Sequence, residues 1–244
     1  MNFKKIDNLY HSNPLDTLAT ALWKIKNDNH KIVEDKDRLM VLDKKAIIFY
    51  YPKTENISLS DFQNTEISVI HSKYLKYVPT HLYNTSTKYF KLIHILKKIS
   101  SVDESLTFKK VELPKDIPDI VNIIRTCYEN LHVNEEIVNK WTTHPTYNSN
   151  LWIWILDKNK DKMALGIAEF DKESKEGALE WIQVYPEYQG KGLGRSLVNY
   201  LLLNLRNKAK FVTVSGEIDN ITKPEKLYRK CGFTGDAVWH LFKK

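Results

Sequence analysis

The sequence predicts an α+β fold in which a mixed, mostly antiparallel sheet is flanked by helices. Three apolar runs, 151–156, 163–170 and 178–185, are separated by short polar turns, which is typical of an antiparallel meander. A glycine-rich turn at 190–194 then leads directly into a helical pattern. A further strand, a helix and a last strand complete the predicted order.

The elements after the turn follow from spacing and end signals. Leucines 193, 197, 201 and 205 recur at helical intervals, and Pro224 and Gly232 are typical of a helix start and a helix stop. The predicted elements are a helix over 193–206, a strand over 211–215, a helix from 224 to 231 and a strand over 237–242.

The first 105 residues predict a separate α+β domain. Asn13-Pro14 is typical of a helix start, and apolar spacing extends that helix to Lys26. The other predicted elements are strands over 38–42, 46–51 and 66–70 and a helix over 87–99. A linker at 101–105 then divides the chain into domains 1–105 and 106–244.

The first domain has no glycine, because the first glycine of the chain is Gly166. A second glycine-rich turn is therefore excluded, although a degenerate half-copy of the C-terminal fold remains an open alternative. The domain is expected either to cover the substrate side of its neighbour or to mediate formation of a homodimer.

Composition favours a cytoplasmic protein. The two cysteines are too few for a disulfide framework, and the chain shows no apolar stretch typical of a signal peptide or a membrane span. The net charge of +7 is spread along the chain, whereas nucleic-acid-binding proteins concentrate basic residues on one element. Neither a nucleic-acid partner nor a membrane partner is expected, and no metal site is predicted.

The turn from Gln189 to Arg195 carries the clearest chemical signal. Consecutive backbone N–H groups and a helix N-terminus converge in such a turn, which is how many proteins bind a pyrophosphate. The glycine spacing fits neither a Walker loop nor a dinucleotide-binding loop. An ordinary tight strand-to-helix turn is the alternative.

The pattern Gln189-x-x-Gly192-x-Gly194 after an apolar strand resembles the acyl-CoA loop of the GNAT superfamily of N-acetyltransferases. Tyr228, followed by Gly232-Phe233, resembles the last-helix motif of the same family. The resemblance covers residues 106–244 and implies a GNAT fold with acetyl-CoA as the cofactor.

The resemblance also assigns cofactor contacts. Ile182 and Val184 would lie along the pantetheine, and the Val184 N–H would be a candidate oxyanion donor. Asn220 would contact the cofactor, although a turn or capping role is equally open. The residues that would surround the pyrophosphate are Gln189, Gly190, Lys191, Gly192, Leu193, Gly194 and Arg195.

Tyr228 corresponds to the family tyrosine that protonates the departing thiolate. Full proton transfer from a tyrosine with a pKa near 10 to a thiolate with a pKa near 8.5 is uphill by about 2 kcal/mol. A hydrogen bond that strengthens as charge develops would therefore suffice. The alternative is a tyrosine that only packs the helix on the sheet.

The general base is less well defined. Glu180 alternates with Ile182 and Val184 and is the first candidate; Glu169 is its rival, and a plain structural role is open for Glu180. His144 titrates in the useful range but is a lone loop histidine.

Aromatic and cysteine residues leave two further questions. Trp152 and Trp154 share a strand face and either line the acceptor site or pack in the core. Nothing near Cys231 indicates an acyl-cysteine intermediate.

The sequence therefore predicts direct acetyl transfer from acetyl-CoA to an amine of a small molecule or a peptide, with Tyr228 and Glu180 as catalytic residues. The acceptor pocket is expected to involve the 128–150 segment. A non-catalytic acyl-CoA sensor is the alternative from a different class.

Overall fold

The computed structural model describes residues 2–26, 30–56, 58–128 and 131–244. Its contacts divide the chain into two compact units. The first unit contains residues 1–93, 214–225 and 234–244, and the second contains residues 94–213 and 226–233.

The sheet of the second unit is an antiparallel meander. Strands β6 (Thr107–Lys110), β7 (Trp152–Leu156), β8 (Lys162–Asp171) and β9 (Glu176–Val184) pair in chain order. The first half of β10 (Phe211–Glu217) lies beside β9, where the Thr213 hydroxyl donates a hydrogen bond of 2.6 Å to Glu176 Oε1. The three predicted meander strands and the strand after the helix are thus confirmed, and β6 is an additional member.

Helices cover both faces of this sheet. The helices are α4 (Ile117–Cys127), α5 (Glu135–Thr142), α6 (Leu193–Leu205) and most of α7 (Pro224–Lys230). Apolar residues of α4 and α5 form one core with Trp152, Trp154, Leu165 and Ile167. Trp152 and Trp154 are both fully buried in that core, so core packing is the correct one of the two alternatives that the sequence left open for them.

Helix α6 packs closely on the opposite sheet face because glycines on the strands leave room for its leucines. A Cβ atom on Gly166 of β8 would lie 2.8 Å from Leu197 Cγ, and one on Gly177 of β9 would lie 2.8 Å from Leu205 Cδ1. Both leucines are fully buried. The predicted helix over 193–206 is therefore confirmed, and it packs against β8 and the beginning of β9.

The first unit has its own set of strands and its own hydrophobic core. Its strands are β1 (Lys31–Glu34), β2 (Arg38–Asp43), β3 (Ala46–Pro52), β4 (Ile67–His71), β5 (Thr85–His94) and β11 (Thr234–Lys243). They follow the order β1-β2-β3-β4-β11-β5, with the second half of β10 beside β5. Only β3 and β4 are parallel among the pairings described. The helices of this unit are α1 (Asn2–Ser12), α2 (Pro14–Thr17) and α3 (Leu59–Gln63).

The predicted helix over 87–99 is wrong, because this segment contains strand β5. Phe90, Ile93 and Leu96 have helical spacing, yet the consecutive residues Phe90, Lys91 and Leu92 are all buried. Strand β5 lies between β11 and β10 in the sheet, and both of its faces are buried in this stretch. The alternation of apolar and polar residues that marks a half-exposed strand is therefore missing.

The predicted helix from Asn13 to Lys26 is also interrupted. Helix α2 ends at Thr17, Leu18 is extended, and a short 3-10 helix covers Leu22–Ile25. The fully buried Lys91 ammonium donates to the carbonyl oxygens of residues 14, 18 and 20 at 2.8–2.9 Å. These tertiary hydrogen bonds replace the helical bonds that the spacing predicts.

The two units do not follow the predicted division at residue 105. Residues 234–244 group with the first 93 residues because β11 pairs with both β4 and β5. The last predicted strand is therefore confirmed, but it belongs to the sheet of the first unit. None of the described helices combines the length and the apolar character needed to cross a bilayer.

Candidate active site

Strand β9 carries a β-bulge at Glu180. Leu179 pairs with Ala168 and Trp181 pairs with Ile167, so Glu180 is the extra residue of the bulge. The simple alternation predicted for Glu180, Ile182 and Val184 is interrupted at this point. Ile182 and Val184 still share one face, whereas the bulge sets the direction of Glu180 independently.

The end of β9 is held by two side chains. The Val184 carbonyl accepts a hydrogen bond of 3.1 Å from Gln189 Nε2 and one of 3.5 Å from Cys127 Sγ. Gln189 thus closes the turn back onto the strand, with a short 3-10 helix at Pro186–Tyr188 between them. This arrangement fixes the position of the glycine-rich turn relative to Val184.

Gly190 and Gly192 require their residue type. Their φ angles are +75° and +82°, in the left-handed region that side chains with a Cβ rarely adopt. A Cβ atom at either position would meet nothing within 4 Å, so open space adjoins this side of the turn. Gly194 differs, because its Cβ would lie 3.2 Å from Leu227 Cδ2, which makes it a packing position.

The turn ends as the N-terminus of α6. Gly192 is the N-cap residue, and its carbonyl accepts the first helical hydrogen bond from the Ser196 N–H at 3.1 Å. No acceptor within the described ranges bonds the N–H groups of residues 190–195. These amides and the helix dipole favour an anion at this point.

Two exposed cations flank the same turn. Lys191 Nζ lies 5.1 Å from the centre of the Tyr188 ring, and Arg195 lies in the first turn of α6. Their charge adds to that of the backbone amides. The residues present at the turn therefore fit a pyrophosphate group.

Tyr228 lies on α7 and is only 8% exposed. Its ring contacts Phe233 edge-on, with 5.8 Å between ring centres. Burial raises the pKa of Tyr228 well above its usual value, and the neighbouring Tyr128 and Cys231 add to the increase. The hydroxyl therefore stays protonated at neutral pH and is available as a hydrogen-bond donor.

The two candidate bases differ in environment. Glu169 is only 4% exposed and accepts a hydrogen bond of 2.6 Å from the Thr146 hydroxyl. Glu180, at the bulge, is half-buried. Glu169 therefore helps to fix the 142–148 loop on β8, and the Phe170 N–H adds a bond of 3.0 Å to the Thr146 carbonyl.

His144 belongs to the same local network. Its Nδ1 lies 2.9 Å from the Thr146 hydroxyl, which links the imidazole through Thr146 to Glu169. The residue itself is exposed. This geometry gives His144 a position in the loop structure rather than a contact with the turn.

Asn220 lies in a turn of the first unit, between β10 and α7. Its side-chain oxygen accepts hydrogen bonds from the Thr222 N–H at 2.9 Å and from the Thr222 hydroxyl at 2.6 Å. These bonds are those of a turn-stabilising asparagine, which is the alternative that the sequence left open.

The cysteines are both free, and burial raises the pKa of each thiol, that of Cys231 to about 11. A high pKa makes a thiol a poor nucleophile at neutral pH. The sequence did not indicate that Cys127 would reach the Val184 carbonyl, because residues 57 positions apart carry no common pattern. Across the described ranges, no cluster of three or more His, Cys, Asp or Glu side chains is arranged to hold a metal ion.

Comparisons with known proteins agree with this arrangement. The family model of the acetyltransferase (GNAT) domain matches residues 149–235. An uncharacterized N-acetyltransferase, ycf52, of Porphyra purpurea is 30% identical over 152 residues, which cover 57% of this chain and 81% of that protein.

Solved structures share the fold over most of the chain. A GCN5-related N-acetyltransferase from Sphaerobacter thermophilus has a TM-score of 0.66 at 11% identity, covering 92% of this chain and 85% of its own. A GNAT-family acetyltransferase from Colwellia psychrerythraea has a TM-score of 0.62 at 14% identity, covering 88% and 84%.

The fold and the family match together define an acyltransferase of the acetyltransferase class. The chain belongs to the GNAT family of N-acetyltransferases. The predicted α+β fold with a mixed, mostly antiparallel sheet is confirmed.

Proposed function

We propose that this protein uses acetyl-CoA to acetylate an amine of a small molecule or a peptide. The observation that carries the proposal is the turn at Gly190 and Gly192, where open space adjoins a row of amides without acceptors in the described structure. Acetyl-CoA supplies the pyrophosphate for such a turn and an acetyl thioester for transfer.

The turn residues would bind the donor through charge and backbone. Hydrogen bonds from backbone N–H groups to a charged oxygen are worth about 1.5–3 kcal/mol each. Lys191 and Arg195 would add long-range attraction that weakens as salt rises. Leu193 and Gly194 contribute amides from the first turn of α6, where the helix dipole is effective.

The end of β9 would position the thioester. Ile182 and Val184 lie on the sheet face that packs towards α6, since a Cβ atom on Gly194 would lie 3.8 Å from Val184 Cγ2. We assign the Val184 N–H as the oxyanion donor: the Tyr185 N–H bonds the Met163 carbonyl of β8 at 3.1 Å, so the N–H of the preceding Val184 points away from β8. Such donors act without reorganisation when they are held rigidly.

Tyr228 would donate a hydrogen bond to the departing thiolate. Because its pKa is raised by burial, complete proton transfer is even less favourable than for an ordinary tyrosine. The hydroxyl would instead stabilise negative charge as it develops on sulfur. Solvent would supply the proton that the released thiol carries.

Glu180 would accept the proton of the amine through water. A protonated amine with a pKa near 10 is unreactive at pH 7, and restoring the neutral form costs about 4 kcal/mol. Glu180 is half-buried at the bulge, whereas Glu169 is only 4% exposed. The greater exposure of Glu180 to water supports it over its rival.

The test is steady-state thiol release from acetyl-CoA with a library of amines. Turnover with at least one amine, a fall in kcat of tenfold or more in Tyr228→Phe, and unchanged binding of acetyl-CoA would support the proposal. Tyr200→Phe is the matched control, because that tyrosine stacks on Phe108 at 4.2 Å and has no assigned role.

An acyl-CoA sensor gives a different result. Calorimetry would then show tight binding of acetyl-CoA, no amine would release thiol, and Tyr228→Phe would change neither. That combination would overturn the proposed enzyme activity.

A further inference from the structure

Three half-buried aromatic side chains meet where α4 and α5 approach β9. The ring of Trp141 on α5 stacks on Trp181 of β9, with 5.4 Å between centres and 25° between planes. Tyr128, at the end of α4, meets Trp181 edge-on at 6.1 Å. We call Tyr128, Trp141 and Trp181 the aromatic group.

The aromatic group lies on top of a completely buried layer. Trp152, beneath it, is fully buried and contacts Trp141 edge-on at 6.5 Å, while all three members of the group keep part of their surface exposed. The three rings thus pack on this core with one side and keep another part of their surface accessible. A cluster of partly exposed rings over a rigid core is typical of a ligand-binding surface.

The aromatic group adjoins the residues assigned to the chemistry. Trp181 directly follows the bulged Glu180 and precedes Val184 by three positions on β9. Tyr128 follows Cys127, whose Sγ bonds the Val184 carbonyl. Tyr128 is also an electrostatic neighbour of Tyr228, since it contributes to the raised pKa of that residue.

Two glutamates lie near Trp181 on the strands of the sheet. On β8, Glu169 lies two residues beyond Ile167, the partner of Trp181, and is only 4% exposed. Glu180 directly precedes Trp181 on β9, and the proposed reaction uses it for the reacting amine. The aromatic group itself offers ring surface, which attracts apolar and aromatic groups.

We propose that Trp141, Trp181 and Tyr128 bind the non-reacting part of the acceptor, and that the acceptor is a primary amine carrying an aromatic or bulky apolar group. This inference rests on the proposed function, because it names the substrate class of the same site. Stacking places the apolar group on Trp181 and leaves the amine towards Glu180 and Val184.

The test is calorimetric binding of 2-phenylethylamine to the full chain saturated with coenzyme A. Trp181→Ala and Trp141→Ala are each expected to weaken this binding about tenfold, whereas Trp181→Phe keeps it within about threefold because a ring remains. 1,5-Diaminopentane is the polar comparison amine, and it is expected to bind at least tenfold more weakly than 2-phenylethylamine.

The matched control is Phe108→Ala, which removes a stacked ring on β6 that lies outside the aromatic group. This control is expected to leave the binding of 2-phenylethylamine unchanged. Binding of coenzyme A should be the same in all four variants, which shows that each variant is folded.

Failure of this inference and failure of the proposed function are distinguishable. Absence of 2-phenylethylamine binding, or equal binding in Trp181→Ala, would overturn the inference even if polar amines are acetylated. Binding that depends on Trp181 without any thiol release from acetyl-CoA would support the aromatic site and overturn the enzyme activity.

Discussion

Replacing Gly192 by alanine is the most direct perturbation of the glycine-rich turn. Gly192 has a φ of +82°, and a Cβ atom there would meet nothing within 4 Å. The substitution therefore adds backbone strain without a clash inside the protein. It also places a methyl group in the space where we expect the donor.

The size of the strain follows from the backbone conformation. A left-handed residue with a Cβ costs about 1–2 kcal/mol, so Gly192→Ala should lower the free energy of unfolding by that amount. Gly192→Asn should cost less, because asparagine tolerates this conformation better than alanine. Gly194→Ala is the control, since Gly194 has no positive φ, alanine keeps its backbone N–H, and the closest atom to the added Cβ is the movable tip of Leu227 at 3.2 Å.

The assay combines denaturant unfolding with calorimetric binding of coenzyme A. Strain already present in the folded protein does not alter affinity, so a loss of affinity reports occupation of the ligand's space. We expect Gly192→Ala and Gly192→Asn both to weaken coenzyme A binding at least tenfold, although their stabilities differ. Gly194→Ala should change affinity less than threefold.

Two outcomes would refute this reasoning. If Gly192→Ala binds coenzyme A as the wild type does, the open side of the turn is not the ligand surface. If Gly192→Asn is as destabilised as Gly192→Ala, backbone strain is not the cause of the stability loss.

Three further predictions concern stability. Lys91→Met should lower the free energy of unfolding in denaturant by about 3 kcal/mol, because three carbonyls each lose a hydrogen-bond donor worth about 1 kcal/mol. Lys88→Met, on the same strand, is the control and should change this free energy little. Gly166→Ala should cost about 1–3 kcal/mol by overpacking against Leu197, measured in the same way; an unchanged free energy of unfolding would contradict the packing. Burial alone would raise the pKa of Asp116, but hydrogen bonds from Lys162, the Glu112 N–H and Trp154 hold that pKa below its usual value. The ionised carboxylate therefore stabilises the fold, and this stabilisation is lost as the pH falls below about 4. In unfolding measured against pH, Asp116→Asn should lose this acid dependence.

The glycine-rich turn could be predicted from the sequence because its requirement is local. The positive φ angles at Gly190 and Gly192 depend on the absence of a Cβ, and the residue type glycine shows that absence in the sequence itself. The meander strands were predictable for a similar reason, because a short polar turn separates each strand from the next. Local information was sufficient for both features.

The N-terminal errors arise from tertiary contacts. The helix predicted to run from Asn13 ends early because carbonyls along 14–20 bond Lys91, which is more than 70 positions away in the chain. Strand β5 has neighbours on both sides and buried residues on both faces, so its spacing resembled a helix. No local pattern contains either fact.

The active-site residues divide in the same way. The sequence predicted that Glu180 lies on strand β9. It could not predict the bulge at Glu180, because the bulge depends on how β9 pairs with β8. The sequence pointed to Trp152 and Trp154 as an aromatic pair, but helices α4 and α5 bury them. Trp141 and Trp181 form the partly exposed pair instead. Which aromatic ring stays exposed depends on what the helices cover.

The assignment of β11 to the first unit has a consequence for synthesis on the ribosome. Strand β5 is translated long before β11, and until residues 234–243 emerge, β4 and β5 both lack the neighbour that pairs with them. Unpaired strand edges invite association with other chains. The early part of this chain must therefore wait for the last strand while the whole of the glycine-rich turn and α6 is made, and a fragment of residues 1–93 should aggregate rather than fold.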